Sequence, residues 1–95
     1  MADLEFPPEL IEAQRAYWAA ERRVADIVAR LPSGSAIALG QAAVSEEDRR
    51  ELAAARAERG RLIDQLYGHP FWQGHAAPEH AREALRRAAR AGQAG

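Results

Sequence analysis

Ninety-five residues at 10.4 kDa, 47% of them hydrophobic, make at most one small domain, whose core is thin enough to call for completion by a partner. Thirteen basic against fourteen acidic side chains leave a net charge of −1, which excludes recruitment of nucleic acid or an anionic membrane by bulk attraction. The absence of Cys, Lys and Thr excludes disulfides, thiolate metal sites, Schiff-base lysines and Cys or Thr nucleophiles.

The opening stretch Met1-Ala-Asp-Leu-Glu-Phe-Pro-Pro is acidic and has neither the basic nor the apolar region of a secretory signal. No apolar run approaches the roughly 18 residues of a membrane span, so a cytoplasmic protein without membrane contact is expected. Pro7, Pro8 and Glu9 suit a helix start. The spacing then predicts a helix over residues 8–31: Leu10, Tyr17, Val24 and Leu31 are seven apart, and Ala13, Ala20 and Ile27 complete an a/d seam. Beside that seam Ile11, Trp18 and Ala25 form a second apolar row, too wide for one partner helix.

Pro32-Ser33-Gly34 stops the helix and opens a connection over 32–44, in which Ile37 and Leu39 are expected to cap the end of the bundle. Ser45-Glu46-Glu47-Asp48 reads as an N-cap with an acidic first turn, and a helix over 45–68 follows, closed by Gly68-His69-Pro70. Two helices of similar length packed antiparallel set Val24 by Leu52 and Leu10 by Leu66. Between Leu52 and Leu62 the second helix offers only Ala53, Ala54, Ala55, Ala57 and Gly60 as apolar or small residues opposite Tyr17 and Trp18, so a ring or backbone is expected to approach Gly60 closely.

A loop over 69–77 contains Phe71 and Trp72, which either fold back onto Leu10 and Ile11 or stand out as an aromatic anchor. Pro78-Glu79 starts a short helix over 78–91 whose one large apolar residue, Leu85, implies weak packing, and a disordered tail over 92–95 is expected. On this helix Arg82, Arg86 and Arg90 are spaced by four, with Arg87 beside them. Such a stripe fits phosphate contacts in nucleic acid, a solvated face with Glu83–Arg87 pairs, or pairing with the acidic residues Asp3, Glu5, Glu9 and Glu12.

His69, His75 and His80 are six and five residues apart across Pro70, Gly74 and Pro78, so no single helix presents them and no metal or other cofactor is expected. Arg56 and Arg59, on or beside the seam, are expected to pair with Glu21 or to snorkel outward on their long stems, or else to line an anion pocket of a small helical-bundle enzyme. The reading that absorbs most of these features is an all-α antiparallel hairpin with a short third helix, two copies of which would bury their second rows together as a four-helix bundle on dimerisation. It acts as a non-catalytic protein-interaction module, a homodimer or an accessory subunit, with Ile11, Trp18, Phe71 and Trp72 contacting the partner. Nucleic-acid binding through Arg82, Arg86, Arg87 and Arg90 is the alternative.

Overall fold

A computed structural model describes residues 5–74 and 78–91, and every regular element among them is helical: α1 (Pro8–Arg30), α2 (Gly34–Ala38), α3 (Glu46–Tyr67) and α4 (Pro78–Ala91). The expected tail lies outside the described residues. No helix among them is long and apolar enough to cross a membrane.

Local chemistry sets the ends. Pro8 occupies the first helical position of α1, and the Pro7 carbonyl accepts from Leu10 N at 3.0 Å. Leu31 precedes Pro32 and is therefore held extended, with φ −74° and ψ 153°, which ends α1 at Arg30. Ser45 Oγ accepts from Asp48 N at 3.0 Å, and Glu46, Glu47 and Asp48 place negative charge at the positive end of α3. Inside the connection Ser33 Oγ caps a further short helix by accepting from Ala36 N, and Gly40, at φ 73°, closes it.

α1 packs on both α3 and α4. One apolar cluster joins Leu10 and Ala13 of α1, Leu66 of α3 and Leu85 of α4, with Phe6, Ile11, Ile63, Tyr67, Phe71 and Trp72 against it. A second joins Val24 and Ile27 to Ala55 and Leu52. Both pairs expected from the sequence, Leu10 with Leu66 and Val24 with Leu52, thus share a cluster. Arg30 Nη2 lies 2.8 Å from Glu51 Oε2 beyond them.

Three expectations require correction. Ile37 and Leu39 do not cap the bundle: they are 41% and 71% exposed, because α2 satisfies its own backbone and stands apart from the core clusters. A Cβ on Gly60 would meet nothing within 4 Å, so neither a ring nor a neighbouring backbone presses on it; the Trp18 ring lies instead under the Arg90 guanidinium. α4 is not loosely placed, since Ala81, Leu85 and Ala89 are all at most 2% exposed and small residues let its backbone approach α1.

The molecule is long, 59 × 29 × 20 Å, with a radius of gyration of 17.7 Å against roughly 12 Å for a compact chain of this length.

Candidate functional site

The two ends of the helical body differ in how far they are closed. At the end holding Leu10 and Leu66, the turn Pro70–Trp72 folds Phe71 and Trp72 back over the core. The rings form a continuous string: Phe6 to Phe71 at 5.2 Å, Phe71 to Trp72 at 5.4 Å, and Trp72 to Tyr67 at 5.6 Å between centroids. Trp72 also donates its Nε1–H to the Leu66 carbonyl. Phe71 and Trp72 are consequently half-buried, as is Ile11 beside them.

α4 supplies the cover that the second apolar row of α1 calls for, over Ile11 and Trp18. Arg15 Nε donates to the Ala89 carbonyl at 3.0 Å, and the Arg90 guanidinium lies 5.6 Å from the Trp18 ring centroid. The remaining arginines of the stripe also have contacts within the chain. Arg82 stacks on Tyr67 at 4.3 Å, and Arg86 Nη2 binds Glu83 Oε2 at 2.8 Å. The Glu83 partner is therefore Arg86, one helical turn away, rather than Arg87, which stays exposed. No pairing joins these arginines to the acidic start of the chain among the described residues. Glu9 faces His69 Nε2 at 3.4 Å instead, and Asp3 lies outside the described residues.

The histidines stay apart. His69 Nδ1 accepts from Phe71 N at 3.0 Å, which leaves its neutral-ring proton on Nε2, toward Glu9; His80 is exposed on α4, and His75 lies outside the described residues. No grouping of three His, Cys, Asp or Glu that could hold a metal occurs among the described residues.

Midway along α1, Tyr17 rather than Arg56 is the partner of Glu21. Burial first, and then the Glu21 carboxylate, raise the Tyr17 phenol above its ordinary value, with Arg59 opposing. A phenol held protonated in this way is no base at neutral pH. Arg56 is exposed, and neither it nor Arg59 has an ion pair among the described residues. Gln14, only 3% exposed on the same helix, has no hydrogen-bond partner for its Oε1.

The opposite end is open. Beyond Trp18 the second row of α1 runs on through Ala25, which is exposed, to Val28, which is 45% exposed and adjoins Ala25 on the helix surface. Val28, Ile37 and Leu39 are the exposed large hydrophobic side chains among the described residues, and all fall between positions 28 and 39. Composition alone does not separate them from core residues. The signal available in the sequence is charge: Leu31 to Ser45 contains no ionisable side chain, in a chain that is 28% charged.

No curated protein and no solved structure matches the chain. A family model does, over residues 9–88, which takes in most of α1 through α4. The chain belongs to that family, described as a domain of unknown function, DUF8825.

Proposed function

We propose that the chain is a non-catalytic protein-interaction module: an antiparallel helical hairpin, braced at one end by α4, that docks through its other end onto another protein chain, either a second copy or a larger complex. One observation carries this reading. The exposed large hydrophobics among the described residues are not scattered over the surface, as incidental ones are, but gathered at the end that lacks a bracing helix. Ile11, Trp18, Phe71 and Trp72 then act indirectly, by making the closed end rigid enough to hold the open one.

The arginine stripe supports the nucleic-acid alternative less well. Arg82 and Arg90 lie over rings and Arg86 is engaged by Glu83, so these three would have to give up internal contacts to grip phosphate.

A photocrosslinking side chain at position 39 of the full chain, expressed in its native cell, tests the proposal, with position 65 on the exposed face of α3 as control. A protein adduct from position 39 and none from position 65 is the expected result. Equal labelling from both positions, or none from either, would overturn it.

A further inference from the structure

We infer that His69 is a proton-operated latch on the closed end: with its ring neutral it holds the Pro70–Trp72 turn over the core, and a second ring proton releases that turn while the helices stay intact. The inference goes beyond the docking reading and does not depend on what the open end binds.

Among the described residues, side chains cap the starts of three elements. Ser33 and Ser45 cap α2 and α3 with hydroxyl oxygens, which remain acceptors at any pH. The third cap is the imidazole of His69, whose Nδ1 accepts from Phe71 N at 3.0 Å. An imidazole accepts there only while Nδ1 keeps its lone pair. Once protonated, the ring carries N–H on both nitrogens and has no acceptor left, so no rotation of the side chain restores the bond. In the closed geometry the added proton would point at the Phe71 N–H, donor against donor.

The charges around the ring do not make good that loss. From α1 the Glu9 carboxylate lies 3.4 Å from Nε2, and the neutral ring already turns its one N–H toward it. Protonation makes this contact an ion pair, but most of the Glu9 side chain is in water, so the gain is that of a surface pair. From α3 and α4 the titratable groups packed at this end are Tyr67 and Arg82, which stack on each other at 4.3 Å. No carboxylate of either helix, among the described residues, lies within ion-pair distance of the ring. A part-buried Phe71 N–H left without its acceptor costs more than an exposed ion pair returns.

The latch holds the cover of the closed end. Phe71 and Trp72 lie against the cluster of Leu10, Ala13, Leu66 and Leu85, and Trp72 is fastened to the Leu66 carbonyl. The cluster of Val24, Ile27 and Ala55 includes no part of the turn. Release therefore bares apolar surface at one end and leaves the packing of α1 on α3 at the other in place. The sign is fixed by the lone pair: the turn is held at the higher pH and freed as pH falls.

The test follows the full chain by nuclear magnetic resonance from about pH 8 to about pH 5, the range in which histidines ordinarily change charge, with circular dichroism as a check on the helices. At the upper end the ring-nitrogen shifts of His69 are expected to report the Nε2–H tautomer. As the ring takes its second proton, protection of the Phe71 amide against exchange is expected to fall by about tenfold, and that of the Trp72 indole N–H to fall in step, at unchanged helicity. His69→Asn keeps a side-chain acceptor at the cap without a titrating group and is expected to hold the turn across the whole range. His69→Ala is expected to show the released turn already at neutral pH; should it fail to fold, the wild-type titration and His69→Asn still decide. An Nδ1–H tautomer at neutral pH, a Phe71 amide indifferent to protonation of His69, or an acid response in His69→Asn equal to that of wild type would each overturn the latch.

Discussion

The indole Nε1–H of Trp72 donates to the backbone carbonyl of Leu66 at 2.7 Å, so a side chain from outside α3 satisfies one of the last carbonyls of that helix. Leu66 is itself fully buried, so this bond fastens the Pro70–Trp72 turn to the core where α1, α3 and α4 meet. Trp72→Phe keeps a ring in place but strands the carbonyl, and is expected to cost about 1–3 kcal/mol. Trp72→Ala removes the Tyr67 and Phe71 ring contacts as well, and is expected to cost about 3 kcal/mol or more. Urea unfolding of the three proteins gives the ranking; a Trp72→Phe protein as stable as wild type would mean that water replaces the indole.

Gly60 lies inside α3 with open space where its Cβ would be. Gly60→Ala removes backbone freedom from the unfolded chain and meets no obstacle in the folded one, so it is expected to stabilise by about 0.5–1 kcal/mol. For a domain of this size that is a rise in Tm of about 2–8 °C in a thermal melt. A fall in Tm would show that the gap beside Gly60 is filled in solution.

The helices were legible because their signals are local. Pro8, Ser45 and Pro78 mark starts, Pro32 and Gly68 mark stops, and the heptad from Leu10 to Leu31 gives α1 its inner face. Which surface remains open was not legible, because it depends on where α4 lands. Leu85 gives little warning that small neighbours let α4 reach Ile11 and Trp18, and nothing in the spacing of Arg82 and Arg90 foretells stacking on Tyr67 and Trp18. The open site therefore lies farther along α1 than the row of apolar residues suggests. It is reported by the uncharged stretch around Ile37 and Leu39, whose apolar content is equally consistent with a buried cap.

Leu85 is the one large apolar side chain with which α4 enters the core, and it is fully buried against Leu10, Ala13 and Leu66. Leu85→Ala is expected to cost about 2–5 kcal/mol. Because the rest of the α4 contact is made by alanines and stacked guanidinium groups, the loss should fall first on that helix. Hydrogen exchange is expected to show the amides of α4 losing protection while those around Ile27 and Ala55 keep theirs. Uniform loss along the chain would instead make the closed and open ends one cooperative unit.

Glu83 and Arg86 link α4 to pH. The hydrogen bonds from Arg86, then its charge, with Arg90 and Arg87 adding, hold the Glu83 carboxyl below its ordinary 4.5. A carboxyl lowered on folding contributes stability that is complete above its unfolded value and is lost as pH falls through the lowered one. α4 is therefore expected to loosen on acidification below about pH 4.5, and not on alkalinisation. The effect is small, since half of the Glu83 side chain is in water, and added salt should reduce it further. A carbon-detected carboxyl titration is expected to place the Glu83 midpoint below that of an unfolded reference, and Arg86→Gln to return it most of the way. A midpoint at or above the reference would mean that Arg86 spends its time elsewhere, with Tyr67 the nearest candidate, because its hydroxyl also bonds the Arg86 guanidinium.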